Sequence, residues 1–217
     1  MTGRLQDLQR VYDEEFAAAV VIDHAVVRRE ALAETLDSEL FLVGQALARD
    51  TQRLSGLPYI FPGGPPHILS KGGRVLDGWL AEIGDSIVPE RRDRHYAYHA
   101  DLHPGFPGRK STSGDVVPTI AQIEAGTGWL QREIEIIDPK AVICLGKQPA
   151  LEILRRYRGV ELRKLSEATT RRWEINVAGQ VVAAFGAYHP SGAFQFPQQS
   201  AQAWEFVSNE LLQIMKS

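Results

Sequence analysis

An apolar run changes into a polar turn at Val181-Val-Ala-Ala-Phe-Gly-Ala-Tyr-His-Pro-Ser-Gly-Ala-Phe194. The apolar part has the composition of a strand that is buried on both faces. His189, Pro190 and Ser191 then supply an imidazole, a rigid turn and a small hydroxyl at the end of that strand. Open α/β folds bind their ligands at the carboxyl ends of parallel strands. The stretch therefore predicts an α/β fold with a pocket that faces His189.

Three more short runs, residues 40–43, 95–101 and 140–146, are predicted to be strands. Apolar residues at helical spacing predict one or two helices over 5–35 and further helices over 72–83, 118–137, 149–156 and 199–215. Residues 173–177 and Ala178-Gly-Gln180 predict a hairpin that leads into the last strand. We therefore expect a three-layer α/β/α sandwich with a mostly parallel central four-stranded sheet, formed by residues 1–217 as a single domain.

The composition is that of an ordinary globular protein, with 217 residues, 44% of them apolar and 24% charged. The single cysteine, Cys144, excludes internal disulfides and any four-cysteine metal or iron-sulfur site. No apolar run approaches the roughly 18 residues that a membrane-spanning helix needs. The first residues are polar, unlike a secretory leader. We therefore expect a cytoplasmic protein that does not bind membranes.

Positive charge is concentrated in residues 155–172, although the net charge of the chain is -3. One interpretation is a patch that meets a phosphate backbone. The other is a solvated helix end without a binding role. The sequence leaves both open. The positive residues are Arg155, Arg156, Arg158, Arg163, Lys164, Arg171 and Arg172.

Four sequence-distant positions follow the predicted strands, namely Gln45, His99 or Asp101, Gly146-Lys147, and His189. Because the carboxyl ends of parallel strands share one edge of a sheet, we expect these positions to meet in one crevice. Residues 44–73 are rich in Gly and Pro and predict a long functional loop beside it.

Three ordered segments resemble the uracil-DNA glycosylase superfamily. They are Gly44-Gln-Ala-Leu-Ala48 followed by Gly56-Leu-Pro-Tyr59, then Ile134-Glu-Ile-Ile-Asp-Pro-Lys-Ala-Val-Ile-Cys-Leu-Gly-Lys-Gln-Pro-Ala150, then His189-Pro-Ser191. The order and spacing of the three segments carry the resemblance, which runs from about Leu40 to Phe194. It implies a monofunctional DNA glycosylase that removes uracil or a related deaminated base and leaves an abasic site.

The sequence looks closest to the branch that carries a four-cysteine iron-sulfur cluster, whose first motif is Gly-Glu-Ala-Pro-Gly. The cluster ligands are absent here, so we expect no cofactor, and ordinary packing must replace the cluster. Gln45 and Ala46 occupy the second and third positions of the motif, and Leu47 replaces the proline. The usual Asp, Asn or Glu of this motif is therefore missing.

The resemblance implies roles for several side chains around the base. His189 would donate a hydrogen bond to O2 of the base, which departs with negative charge. Tyr59 matches the aromatic residue that stacks on uracil, and His99 matches the Asn that recognises its edge, with Asp101 as the alternative. Together with Ala46 of the first motif, Tyr59 and His99 are the predicted substrate-binding residues.

Two residues are candidates for orienting the attacking water. Gln45 has the position of the family residue, but an amide cannot take a proton from water. Asp50 carries a carboxylate, which can orient the water, accept its proton and stabilise positive charge on the sugar. Both remain catalytic candidates beside His189.

Three residues are predicted to contact DNA. By resemblance, Ser191 would bind a phosphate, and Lys147 either adds a second phosphate contact or is a surface lysine without a role. Phe194 is the apolar candidate for the gap left by a flipped nucleotide, although the family leucine falls nearer Ala193. The expected partner is DNA containing uracil or deaminated bases, bound by a monomer associated with the nucleoid.

Other classes of function compete with this interpretation. His95, His99 and His103 are spaced by four and, with Asp101, could form a zinc site. A serine hydrolase is disfavoured because Ser191 is not in a Gly-x-Ser-x-Gly elbow. A DNA-binding relative without catalytic activity remains the main alternative, because the first motif lacks its usual carboxylate or amide at Ala46.

Overall fold

A computed structural model describes residues 3–22, 36–46, 69, 71–87, 97–103, 109–110, 114–115 and 118–216 of the protein. Its helices are α1 (Gly3–Ile22), α2 (Lys71–Ala81), α3 (Ile120–Ile137), α4 (Lys147–Arg158), α5 (Leu165–Ala168) and α6 (Pro197–Ile214). Its strands are β1 (Leu40–Ala46), β2 (Ala97–His103), β3 (Arg109–Lys110), β4 (Gly114–Asp115), β5 (Ala141–Leu145), β6 (Trp173–Val177) and β7 (Gln180–Ala187). A 3₁₀ turn covers Pro190–Gly192.

Five strands form one sheet in the order β2-β1-β5-β7-β6. The first four are parallel to one another, and β6 is antiparallel to β7. The predicted three-layer fold with a mostly parallel sheet is therefore confirmed. The predicted count of four strands was wrong by one. The first arm of the hairpin, β6, hydrogen-bonds along β7 and extends the same sheet as its edge strand.

The sheet is covered on both faces, as the apolar run of its central strand β5 predicted. Because side chains alternate along a strand, Phe41 of β1 packs with α1, α3 and α4, while Leu42 packs on the other face with α2 and α6. On that second face Trp204 of α6 stacks on Trp79 of α2 at a centroid distance of 5.1 Å. The indole N–H of Trp204 also donates to the backbone oxygen of Trp79.

Two local features set where the helices beside the carboxyl edge begin. Thr119 and Gln122 form a capping box, in which each side chain accepts a hydrogen bond from the other residue's backbone N–H, so α3 begins directly after Thr119. Gly146 has a φ of 102°, which glycine adopts without strain, and turns the chain directly from β5 into α4. For this reason α4 begins two residues before its predicted start.

Some predictions concern residues outside the described ranges. These are the continuation of the first helix over 23–35 and most of the long loop over 44–73. Among the helices that the structure describes, none combines the length and the apolar character needed to cross a bilayer.

Candidate active site

The parallel pairing of β1 with β2 brings two polar side chains to one rim of the sheet. In the register, Leu42 lies opposite His99 and Gly44 lies opposite Asp101. His99 and Asp101 are two residues apart on β2, so they share a face of the sheet. Nε2 of His99 lies 3.8 Å from Oδ1 of Asp101, and the side chains are 8% and 3% exposed. The structure thus brings together the two residues that the sequence offered as alternatives.

Gly44 leaves the space that this pair occupies. A Cβ atom at position 44 would overlap Oδ1 of Asp101 and would lie 2.9 Å from Nε2 of His99. Real Cβ atoms do not approach other atoms so closely. Any side chain at position 44 must therefore displace the pair.

His189 reaches the same rim from β7. Leu145 of β5 lies opposite Ala187 of β7, and the Gly146 amide donates to the Ala187 oxygen at 2.8 Å. A Cβ atom on Gly146 would lie 3.2 Å from Cβ of His189, so these two backbones approach closely. The charges of Asp101 and His99 both act on the pKa of His189. The three polar side chains therefore form one electrostatic cluster.

The protonation of His189 follows from its surroundings. Burial lowers the pKa of His189 to about 4, the carboxylate of Asp101 opposes this shift, and His99 adds to it. The ring is therefore neutral at neutral pH. Its Nδ1 accepts the backbone N–H of Ser191 at 3.2 Å. A neutral imidazole that accepts at Nδ1 carries its proton on Nε2, so His189 offers one N–H donor.

Ser191 packs against the first turn of α2. A Cβ atom on Gly72 would lie 2.6 Å from Oγ of Ser191. Because Nδ1 of His189 accepts the amide of this same serine, that nitrogen is not a base for the hydroxyl. The geometry gives no support to the serine hydrolase interpretation. Ser191 itself is exposed, as a phosphate contact requires.

The structure distinguishes the two candidates for an apolar wedge. Ala193 is buried in the core on the α2 and α6 face, whereas Phe194 is 58% exposed. Of the two, only Phe194 therefore presents its side chain to solvent. Lys147, the third predicted DNA contact, is exposed in the first turn of α4.

Gln45 and Ala46 end β1 on opposite faces of the sheet. Ala46 lies opposite His103 in the register and shares the face of Gly44 and the polar cluster. The side chain of Gln45 points to the other face. There it lines a cavity of about 410 Å³ with Ile120, Ile123, Lys147, Gln148, Leu151 and Glu152. The structure therefore does not bring Gln45 together with His99, Asp101 and His189.

Comparison with known proteins matches the amino-acid sequence to a family. Residues 33–212 match the family model described as the uracil DNA glycosylase superfamily. The chain belongs to this superfamily. It is also 26% identical over 161 residues to the type-4 uracil-DNA glycosylase of Archaeoglobus fulgidus, across 74% of this chain and 69% of that relative. The predicted resemblance to the superfamily is confirmed. Membership of the superfamily supports a hydrolase of the DNA glycosylase class.

The four-cysteine iron-sulfur cluster of the branch that the sequence resembles does not fit this chain. The sequence contains one cysteine, Cys144. Its side chain is buried within β5, and burial raises the pKa of its thiol. One residue cannot supply four thiolate ligands. The sequence therefore lacks the ligands for a four-cysteine cluster.

Several predicted site residues lie outside the described ranges. Asp50, Tyr59 and His95 belong to this group, so their roles stay predictions. Among the described residues, no three His, Cys, Asp or Glu side chains are grouped in a way that could hold a metal ion. The proposed zinc site would also need His95. Its third histidine, His103, is buried, and burial lowers its pKa.

The arginines of α4, which belong to the positive segment 155–172, are separated from the rim by the length of that helix. Glu152 forms ion pairs with Arg155 at 2.7 Å and with Arg156 at 3.3 Å, and Arg171 lies 4.6 Å above the Trp173 ring. Because a helix rises about 1.5 Å per residue, the last turn of α4 lies roughly 15 Å from the rim where α4 begins. The arginines of α4 fit the interpretation of a solvated helix end.

Sequence reasoning missed that His99 and Asp101 lie side by side and that Gly44 makes room for them. The available signal was a glycine at the end of one predicted strand, beside two polar residues in alternate positions of the next. The register that joins them was not available from the sequence.

Proposed function

We propose that the protein is a monofunctional DNA glycosylase that hydrolyses the N-glycosidic bond of uracil or a related deaminated base. Membership of the superfamily supports the class of reaction. The observation that carries the assignment to this rim is the fixed, neutral imidazole of His189. During cleavage the base takes the bonding electrons and the sugar becomes positively charged. A donor aimed at the base lowers the barrier because it stabilises that developing negative charge.

His189 is the proposed donor. Its Nδ1 accepts the Ser191 amide, which fixes the ring and leaves Nε2–H for the base oxygen. The short 3₁₀ turn after it is held by the hydrogen bond from the Gly192 amide to the His189 oxygen at 2.8 Å. Removing one such preorganised donor typically costs roughly 10²- to 10³-fold in rate. We expect a loss of that size for His189→Ala.

His99 and Asp101 are proposed to recognise the base edge together. A deaminated base presents a lactam edge, in which a carbonyl oxygen is next to a ring N–H. An imidazole N–H can donate to that oxygen, and a carboxylate can accept from that N–H. Cytosine presents an amino group and a lone pair at the corresponding positions, so it would meet a donor with a donor. The pair would therefore favour uracil over cytosine.

Two residues are candidates for the group that orients the attacking water. Asp50 has the better chemistry, because its carboxylate can accept the proton of the attacking water and stabilise the positively charged sugar. Gln45 has the family position, but its side chain lies on the other face of β1. If Asp50→Ala leaves single-turnover cleavage intact, the carboxylate role is wrong.

For DNA binding, Ser191 and Lys147 are proposed as phosphate contacts and Phe194 as the apolar wedge. Ala46 and Tyr59 are proposed to line the base pocket.

A second candidate function is a DNA-binding relative that does not cleave. One observation favours it. Within the described part of β1, the residues of the first motif that share the face of the polar cluster are Gly44 and Ala46, and neither has a functional group in its side chain. Binding without chemistry would then be the activity of this rim.

The deciding experiment uses an end-labelled oligonucleotide with one uracil and excess enzyme, followed by alkaline cleavage of abasic sites. We expect product from the wild type, a large loss for His189→Ala, and a smaller loss for His189→Gln, which keeps an N–H donor. Tight binding without abasic product would support the second candidate. If the protein neither bound nor cleaved uracil DNA, both candidate functions would be refuted. Oligonucleotides with hypoxanthine, xanthine or etheno adducts would define the range of bases.

A further inference from the structure

Two exposed aromatic rings lie on the loop that carries His189. Among the described residues, the large apolar side chains that are exposed are Ile120, Val181, Phe194 and Phe196. Phe194 and Phe196 are 58% and 49% exposed, and both follow β7 within the segment that starts at Tyr188. Exposed aromatic rings beside a candidate site are informative, because most aromatic side chains are substantially buried.

The backbone holds these rings in place. The Ala193 amide donates to the Pro190 oxygen at 3.3 Å, and the Gln195 amide donates to the Gly192 oxygen at 3.0 Å. Between the two rings and His189, Ala193 is anchored in the core. The Phe196 ring also packs against Tyr188 at a centroid distance of 6.0 Å. Binding to these rings would therefore cost little conformational entropy.

The charges around the loop favour a polyanion. Lys71 is exposed at the start of α2, next to Gly72, whose Cα faces the Ser191 hydroxyl. Lys147 is exposed on the other side, next to Gly146, which contacts His189. No Asp or Glu occurs between Tyr188 and Trp204. The loop thus combines stacking surface with flanking cations, which is the combination found in surfaces that bind single-stranded nucleic acid.

We propose that Phe194 and Phe196 form a stacking platform for unpaired nucleotides beside the excised base, so that single-stranded DNA is the preferred substrate. The proposal rests on the proposed function for the identity of the polymer. One ring can enter a gap in a duplex, but a second ring two residues away gains a contact only if another base has a free face. In a duplex those faces are covered by the neighbouring base pairs, whereas in a single strand they are available.

The test measures binding and not excision. Fluorescence anisotropy would give the Kd of a labelled single strand without uracil and of the matching duplex, at one salt concentration, because affinity for nucleic acid depends on salt. We expect tighter binding to the single strand. Phe196→Ala should weaken that binding by roughly 5- to 150-fold, the range for one lost base stack. Phe196→Tyr keeps the ring and should retain wild-type affinity for the single strand.

Val181→Ala is the matched control. Val181 is 66% exposed but begins the other end of β7, away from the rim, so this variant should bind as the wild type does. If Phe196→Ala destabilises the protein and lowers its melting temperature, the single-strand affinity of Phe194→Ala provides a second test of stacking. The platform is refuted if the wild type binds duplex as tightly as single strand, or if neither ring variant weakens single-strand binding. Because no uracil is present, a failure of the proposed catalytic function would not produce either result.

Discussion

Replacing Gly44 with alanine would test directly whether the paired His99 and Asp101 serve the reaction. The new Cβ would overlap Oδ1 of Asp101 and lie 2.9 Å from Nε2 of His99. Strand β1 lies between β2 and β5 in the sheet, so it cannot move away to relieve the overlap. The two side chains must shift instead. A misplacement of about 1 Å in a catalytic site can cost roughly 10²-fold in rate.

The expected result for Gly44→Ala has two parts. Single-turnover excision of uracil should fall by roughly 10²-fold because the pair proposed to recognise the base is displaced. The free energy of unfolding should fall by about 1–3 kcal/mol, the usual cost of an extra methyl group in a well-packed core. Gel analysis of abasic product and urea unfolding followed by circular dichroism would measure the two quantities.

Gly78→Ala is the control for the same chemical change. A Cβ atom at position 78 would meet nothing within 4 Å on the exposed side of α2. Alanine in place of a helical glycine stabilises by up to about 1 kcal/mol. This variant should therefore keep the wild-type rate and gain stability. If Gly44→Ala excised uracil as fast as the wild type, the proposed role of the pair in base recognition would be refuted.

Four further outcomes follow from the cluster and the core. Excision should decrease as the pH falls towards 4, because burial lowers the pKa of His189 to about 4 and protonation there removes the acceptor of the Ser191 amide; a pH profile of the single-turnover rate constant tests this. The ordinary pKa of a histidine is 6.5, so as the pH falls the unfolded chain binds a proton at His189 before the folded chain does. The free energy of unfolding should therefore decrease as the pH falls from about 6.5 to about 4, as measured by urea unfolding at each pH. His99→Ala should cost more activity with Asp101 present than in an Asp101→Asn background, and a double-mutant cycle that gave additive losses would contradict a functional pair. Cys144 should resist thiol reagents until the protein unfolds, because it is buried and burial raises the pKa of its thiol; labelling in the native state would show that β5 opens.

The architecture could be predicted because its strands have a simple sequence pattern. Residues 141–145 are all apolar and all buried, as expected for a central strand covered by helices on both faces. Helices α3 and α6 could be predicted from apolar residues at helical spacing. The place of β6 in the central sheet was missed because β6 alternates buried and exposed residues. That pattern fits the arm of an isolated hairpin as well as the edge of a large sheet.

The site could be predicted only in part, because strand ends can be located from sequence but registers cannot. His189 follows an apolar run and a His-Pro-Ser turn, so its place at the rim was predictable. The contact of Gly44 with Asp101 depends on how β1 pairs with β2, and a slip by one residue would place Gln45 opposite Asp101 instead. Local sequence contains no information on that pairing. Alternation along β1 nevertheless predicts that Gln45 and Gly44 face opposite sides, which weakens the case for Gln45.

The polar cluster contains a carboxylate close to the place where the proposed reaction would release a base with negative charge. Like charges repel more strongly in a buried site than in water, so this arrangement would raise the barrier unless something offsets it. Two features do so. The imidazole of His99 lies 3.8 Å from the carboxylate of Asp101, and a base with a ring N–H gains a hydrogen bond from that carboxylate. A base with a lone pair at the same position gains no such bond and meets the full repulsion. The charge of the Asp101 carboxylate, which makes cleavage harder, would then also discriminate against undamaged cytosine. The neutral N–H donor of His189 would supply the compensating stabilisation of the departing base.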